Sequence, residues 1–483
     1  MFRFSFLIAA LFVASLNSAL ANSDSTVYAR DQIRSISLSD YVYLALAESE
    51  QMLDINEQLF LSKLDLQSAE YKFDSRFVPL ASIGSGDGGG TQSAGVEWNK
   101  LTTYGTKFSA GVTGGLSGED ETRTATSNTY IQVSQDLFRG WGQKYNRSSL
   151  TIAEFNQDKK NLSLQKARQM VIKTAVQKFY QALLAEKIVE SAYRSYQRAT
   201  ENLEVSKSRQ TVGLVSKSDV YRANIALLNS ESSYKDQQKL YTTRIEELHE
   251  YVRLFEIGHL KPEDKITRFS PVVPEKWGDE ILQHNFDWVS YQIDKKIGSL
   301  NFYKAEQDLN PDVSLRLKYG VTTSGQSFND DDTTSDPYWS VQLHLNSTFD
   351  LFSEKQSLAR EKIAKARLQR SGESLKRKIY RNIRENINSL KAEDRRLQIS
   401  DQKMEQSEKA FELARIRYER GLINNLELIE AENDLYSSEL ENLQAQVGYN
   451  LASVDLAFSL STLTEEWLEQ TLNPQEPSSI ENK

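Results

Sequence analysis

The chain contains GLVSKSDV at residues 213–220 and GLINNLEL at residues 421–428, and these two segments align without a gap. Identical residues continue the alignment in both directions: Arg209 with Arg417, Ala223 with Ala431, Leu227 with Leu435, Glu231 with Glu439, and DLF at 136–138 with DLF at 350–352. Since order and spacing both repeat, the sequence predicts two homologous halves, 22–262 and 280–472, joined by a linker over 263–279.

The prolines separate helical from non-helical parts of each half. They leave two stretches of more than a hundred residues without proline, and both are rich in Leu, Ala, Glu, Gln, Lys and Arg, which have high helix propensity. The first half is predicted to have a helix over 38–73, a β region over 77–138, a long helix over 143–212 and a return helix over 216–257. The second half repeats this plan with a helix over 280–308, a β hairpin over 312–350, a long helix over 353–420 and a return helix over 426–460.

The return helix of the second half carries the spacing of a coiled coil. Apolar and small polar residues alternate steps of three and four at Leu426, Ile429, Asn433, Tyr436, Leu440, Leu443 and Val447. Such a seam docks antiparallel helices across a tight turn. An ordinary helical hairpin would show the same seam. The predicted long helices have about 70 residues and would each measure roughly 100 Å, which is more than an ordinary single-chain hairpin needs.

The β segments alternate apolar and polar residues. In the clearest run, Val313, Leu315 and Leu317 interleave with Ser314 and Arg316. This period of two is what a strand between lipid and water requires, although it also suits a soluble sandwich. One chain has about four to six such strands, so several copies would have to share a wide barrel. The extra runs at 94–99 and 104–112 leave two readings open, a hairpin outside that barrel or additional strands within it.

Composition limits the class of protein. Residues 1–21 carry Arg3, an apolar run and Ala19-Leu20-Ala21, which predicts a cleaved signal peptide; an N-terminal anchor is the alternative. A mean hydropathy of −0.55 and 26% charged residues argue against a bundle of membrane-spanning helices. The net charge of −9 argues against nucleic acid as a partner. The tail at 473–483 is predicted to be disordered.

The ordered set of signal peptide, tandem repeat, β hairpins and Gly-Leu-Val and Gly-Leu-Ile turns resembles the TolC-like outer-membrane efflux factors. The resemblance implies a mainly α fold with a membrane β-barrel portion, in which three chains share a twelve-stranded barrel continued by a long α-helical coiled-coil barrel. It implies a homotrimer in outer-membrane lipid, extending into the periplasm of a Gram-negative bacterium. The expected partners are a periplasmic adaptor (membrane fusion protein) and an inner-membrane RND or ABC transporter. The expected function is the passive exit channel of an efflux pump or a type I secretion system.

The resemblance also assigns residues. Adaptor docking is expected at the two turns, at Val212, Gly213, Leu214, Val215, Ser216, Arg420, Gly421, Leu422, Ile423 and Asn424. Glu427 and Glu430 match acidic positions that ring the pore entrance, although solvated coiled-coil charges are the alternative. Asp219 and Tyr418 match positions that hold this entrance shut in some members. Ile423 stands where the family pattern has an arginine, so the latch of this chain is an open question.

The sequence offers no constellation for catalysis. It has no cysteine, no Gly-rich phosphate loop and four scattered histidines, so we expect no enzymatic activity, no cofactor and no metal site. The rival interpretation is a periplasmic coiled-coil scaffold or adaptor with a soluble β domain.

Overall fold

The structure is a computed structural model that describes residues 34–86, 89–118, 124–253, 260–271, 273–274, 278–326, 333–346 and 350–472. The signal peptide expected at 1–21 and the tail expected at 473–483 lie outside these residues. Among the helices in these ranges, none has both the length and the apolar character needed to cross a membrane.

Groups of helices and groups of strands follow one another along the chain. The first half contains β1 (Arg34–Ile36), α1 (Leu38–Glu48), α2 (Glu50–Tyr71), β2 (Arg76–Gly86), β3 (Gly89–Leu101), β4 (Thr106–Gly118), β5 (Thr124–Asp136), α3 (Gln143–Asn146), α4 (Ser148–Thr211), α5 (Lys217–Tyr251) and β6 (Leu260–Pro262). The second half contains α6 (Asp279–His284), α7 (Phe286–Gln307), β7 (Val313–Gly325), β8 (Thr334–Leu345), α8 (Phe352–Glu419), α9 (Asn425–Ser459) and α10 (Glu465–Leu472).

Two of the predicted helices are interrupted. The helix expected over 38–73 is divided at Ser49, and the helix expected over 280–308 is divided at Asn285. Both residues have an extended backbone, with ψ of 140° and 120°, and both precede a new helix. Asn285 Oδ1 accepts a hydrogen bond from Trp288 N at 3.2 Å. Ser and Asn favour this capping position because their side chains can bond the free N–H groups of a first turn.

The β segments of both halves form one six-stranded antiparallel sheet. Its strand order is β2-β3-β4-β5-β7-β8. The β5–β7 pair joins the two halves, with Tyr130 opposite Gly320. The extra alternating runs of the first half lie in β3 and β4, inside this sheet rather than at its edge.

The junction between strand and helix is fixed by glycines and a polar cluster. Gly140 has a φ of 84°, which favours glycine, and its carbonyl accepts from Asn146 Nδ2 at 2.6 Å. Tyr145 donates to Asp308 Oδ1 at 2.6 Å, and Arg139 Nε lies 3.5 Å from the same oxygen. Burial and the bond to Asp308 raise the pKa of Tyr145 to about 12.

The chain forms two compact units, and each takes segments from both predicted repeats. The first unit comprises the described parts of Met1–Ala45, Ala175–Thr267 and Ser400–Val447. Its core contains Tyr41 and Phe179, which are fully buried with ring centroids 6.0 Å apart. Tyr41 donates to the carbonyl of Leu248 at 2.8 Å, and burial raises the pKa of its hydroxyl. β1 and β6 pair in parallel in this unit.

The second unit comprises Leu46–Thr174, Arg268–Ile399 and the described part of Gly448–Lys483, and it contains the six-stranded sheet. Its helical core includes Ile383, Leu456 and Leu463, none of which is exposed. The ring of Phe269 meets Trp467 edge to face at 6.0 Å, a favourable arrangement for aromatic rings.

Candidate functional site

The two turns between the long and return helices have the same backbone. Gly213 and Gly421 have φ of 75° and 74°, the left-handed conformation that favours glycine after a helix. In each turn the next N–H bonds back to a carbonyl of the last helical turn, that of Arg209 or Arg417, at 2.9 Å. The repeat seen in the sequence is therefore also a repeat of local geometry.

The return helices begin with matching caps. Ser216 Oγ accepts from Asp219 N at 3.2 Å, and Asp219 Oδ2 accepts from Ser216 N at 3.0 Å. These reciprocal bonds form a capping box that satisfies two free N–H groups of α5. In the second turn Asn424 Oδ1 accepts from Glu427 N at 3.0 Å. Both Asp219 and Glu427 thus lie in the first turn of a return helix, where a carboxylate is favourable.

Arg209 of α4 reaches across to the end of α8. Its guanidinium donates to the backbone carbonyls of Tyr418 and Glu419, each at 2.5 Å. It also lies 4.6 Å from the centroid of the Tyr418 ring. The last carbonyls of a helix have no intrahelical donor, and they carry the negative end of the helix dipole. A cation at this point therefore joins the two long helices where they end.

Two further contacts join the turns. The Tyr418 hydroxyl lies 2.9 Å from Ser206 Oγ, and Tyr418 is only 2% exposed. Asn425, which is 1% exposed, donates from Nδ2 to the carbonyl of Asp219 at 3.1 Å. Asp219 and Tyr418, the residues expected to hold the entrance shut, therefore both contribute to a junction between the turns. Their partners are Ser206, Arg209 and Asn425, none of which the sequence had singled out for this role.

The remaining predicted residues lie on the surface of the turns. Glu427 and Glu430 are exposed on the first two turns of α9. Apolar side chains are also exposed, with Leu214 at 74% and Leu422 at 69%. Val212, Gly213, Ser216, Arg420, Gly421 and Asn424 are exposed, and Val215 and Ile423 are half-buried. Roles in pore formation and adaptor docking stay predictions for all of these residues.

A charged cluster joins α4 and α9 farther from the turns. Arg198 lies 3.1 Å from Glu432, which also accepts from Ser195 at 2.7 Å. Seven residues after Glu432 on α9, Glu439 accepts a hydrogen bond from Ser191 and lies 3.3 Å from Arg194. The serines and the arginines of this cluster each recur at a spacing of four residues on α4. This pattern marks one face of α4, but it does not identify the carboxylates of α9 that lie opposite.

A cavity of about 470 Å³ opens among α4, α5, α8 and α9, and its lining includes Arg198, Arg222, Tyr418, Glu432 and Tyr436. The cavity is lined by both charges and aromatic rings. Within the described ranges, no three His, Cys, Asp or Glu side chains are placed to hold one metal ion.

The fold is that of outer membrane channels. The Campylobacter jejuni outer membrane channel CmeC matches with a TM-score of 0.68 and 13% identity, covering 91% of this chain and 90% of that one. The outer membrane protein VceC of Vibrio cholerae matches with a TM-score of 0.66 and 14% identity, covering 88% and 96%. The predicted fold class is confirmed.

Residues 277–462 match the family model of outer membrane efflux proteins. This match confirms, for these residues, the resemblance inferred from the sequence. The pyoverdine export outer membrane protein OpmQ of Pseudomonas putida is 25% identical over 182 residues. That match spans 37% of this chain and 37% of the length of OpmQ.

Proposed function

We propose that the chain is the outer membrane channel component of a tripartite efflux pump or a type I secretion system. Three copies would form a passive exit duct, and an inner-membrane transporter would supply the energy through a periplasmic adaptor. The observation that carries the proposal is the combination, in one chain, of a six-stranded antiparallel sheet and two helical hairpins whose turns are bonded to each other. The match of residues 277–462 to the outer membrane efflux proteins supports it.

The turns are the proposed periplasmic entrance. Arg209 would hold this entrance closed by donating hydrogen bonds to the end of α8. It would thus replace the arginine of the family pattern, whose position is occupied by Ile423 in this chain. Its partners are backbone carbonyls, so the bond depends on the position of the helix end and would break when the two turns move apart. The apolar side chains of Leu214 and Leu422 are exposed at the same turns and would contact the adaptor.

Glu427 and Glu430 are the proposed selectivity residues. Their spacing of three places both carboxylates on one face of α9, and both are exposed. Three copies of two carboxylates would put six negative charges around the entrance. Such a ring favours cations, so we expect the channel to prefer potassium to chloride.

Membrane extraction and reconstitution test this function. The mature protein should stay with the membrane in carbonate, require detergent, migrate as a trimer and form channels in planar bilayers. A periplasmic scaffold would instead be released by carbonate or high salt. A water-soluble monomer that leaves liposomes tight would contradict the proposal, and a preference for chloride would contradict the acidic entrance.

A further inference from the structure

The hairpin β3–β4 is an insertion in the middle of the sheet. In the second half, β7 follows α7 and β8 leads into α8, and the two strands pair directly. In the first half, β2 follows α2 and β5 leads toward α4, but β3 and β4 lie between them. Every neighbouring pair is antiparallel and in continuous register. The insertion therefore widens the sheet instead of leaving it.

One face of the sheet is apolar across all six strands. Two adjacent rows of cross-strand partners on this face are Phe77-Trp98-Ala110-Ile131-Tyr319-Trp339 and Pro79-Val96-Val112-Thr129-Val321-Pro337. Several members are exposed, including Val112 at 52%, Ile131 at 61% and Trp339 at 75%. The inserted strands contribute Trp98, Ala110, Val96 and Val112 to these rows. In these two rows the apolar band continues through the insertion, and in the next row on this face Lys100 of β3 lies opposite Phe108 of β4.

The opposite face is polar on β3, β4, β5, β7 and β8, whereas β2 contributes Val78 and Leu80 to it. Its rows include Glu97-Gly111-Tyr130-Gly320-Tyr338 and Gly95-Thr113-Asn128-Thr322-Asp336. Tyr130 lies against Gly111 of the insertion, and Tyr338 lies against Gly320 in the same way. An aromatic ring over a glycine on the neighbouring strand stabilises such a pair. The insertion therefore shares the packing of the polar face as well as the pattern of the apolar one.

We propose that β3 and β4 are membrane-spanning strands, with the face of Trp98 and Val112 in lipid hydrocarbon and the face of Glu97 and Thr113 in the aqueous lumen. This inference rests on the proposed channel function. Each of these strands has 13 residues, which is sufficient, because a tilted transmembrane strand needs about 9–11. An apolar face of this kind is favourable in lipid and unfavourable in water.

Six strands per copy change the size of the barrel. Because six is an even number, the edge strands β2 and β8 run in opposite directions, so β8 of one copy can pair antiparallel with β2 of the next. Three copies of six strands make eighteen, against the twelve that the family resemblance implies. Barrel diameter grows roughly in proportion to strand number, so the barrel would be about 1.5 times as wide.

Single cysteines test the placement of the insertion, since the chain has no cysteine of its own. The test pair is Val112→Cys and Thr113→Cys on β4. The control pair is Val321→Cys and Thr322→Cys on β7, in the same two rows and therefore at the same depth. Trimers reconstituted in liposomes are treated with a charged, membrane-impermeant thiol reagent. In a second measurement, a fluorophore on each cysteine is exposed to lipids that carry a nitroxide on the acyl chain.

We expect the cysteines at 113 and 322 to react with the charged reagent about tenfold or more faster than those at 112 and 321. Fluorophores at 112 and 321 should be quenched by the nitroxide lipids, and those at 113 and 322 should not. One outcome is that the two β7 cysteines differ in reaction rate and quenching as expected, while the two β4 cysteines react at equal rates and neither of their fluorophores is quenched. The insertion then lies outside the membrane, and the proposed channel function stands. If neither pair alternates, the inference and the proposed function both fail. Val96→Cys, in the same row on β3, replaces Val112→Cys if that variant does not assemble.

Discussion

Replacing Arg209 by alanine removes the cation that bonds the end of α8. The variant loses two hydrogen bonds of 2.5 Å, to the carbonyls of Tyr418 and Glu419, and the contact with the Tyr418 ring at 4.6 Å. Two helix-end carbonyls are left to water. If this junction holds the entrance closed, the substitution should favour the open state of the channel.

The size of the effect follows from these contacts. A hydrogen bond from a charged donor is worth about 1.5–3 kcal/mol when buried, but Arg209 is half-buried, so we take about 1 kcal/mol for each. The ring contact adds about 0.5–1 kcal/mol at such a site. The sum of about 2.5–3 kcal/mol corresponds to a shift of roughly 70- to 150-fold in the equilibrium between open and closed states.

Planar-bilayer recordings measure this shift as the open probability or the mean conductance of single trimers. Arg417→Ala is the matched control, because Arg417 is the equivalent arginine of the second half and is exposed. Arg209→Lys should have an intermediate effect, since an ammonium keeps the charge but cannot match the planar fork of a guanidinium. The reasoning is refuted if Arg209→Ala forms stable trimers that conduct like the wild type and like Arg417→Ala.

Further predictions concern the entrance, the turn surface and the response to acid. Changing both Glu427 and Glu430 to Gln should lower the preference for potassium over chloride, measured as the reversal potential in a salt gradient; an unchanged potential would place these carboxylates away from the ion path. Leu214→Asp should leave trimer stability unchanged, because the side chain is 74% exposed, and should reduce adaptor binding in a pull-down. Burial acts to raise the pKa of Glu465, but the hydrogen bond from Arg168 at 2.6 Å, the bond from its own backbone N–H and the positive charge of Arg168 together lower the pKa below its usual range. The stability from this pair is therefore present above about pH 4.5 and lost as pH falls further, so Glu465→Gln should lose less stability than the wild type between about pH 5 and 3 in thermal unfolding, by under about 1 kcal/mol.

Local sequence signals were sufficient for the turns and for the strands. Gly213 and Gly421 were expected to end the long helices, and each takes the left-handed conformation there. The strict alternation around Val313 was expected to form a strand, and β7 begins at that residue. These features depend on the preferences of neighbouring residues along the chain, which a single sequence records directly.

Features that depend on distant partners were not predictable in the same way. The breaks at Ser49 and Asn285 fall within segments of helical composition, so propensity alone does not reveal them. The position of β3 and β4 inside the sheet depends on pairing with β2 and β5. The bonds of Arg209 depend on how α4 lies against the end of α8, and the repeat alignment gave this arginine the same weight as Arg417. Long-range pairing decides these contacts, and no local pattern specifies it.

The two turns have the same backbone geometry, but their arginines have different surroundings. The first-half arginine is committed to carbonyls of the opposite half, whereas its counterpart faces solvent. Mutations at the counterpart would leave that bond intact. The surface of the second turn can therefore vary while the first turn keeps the two halves of the chain joined.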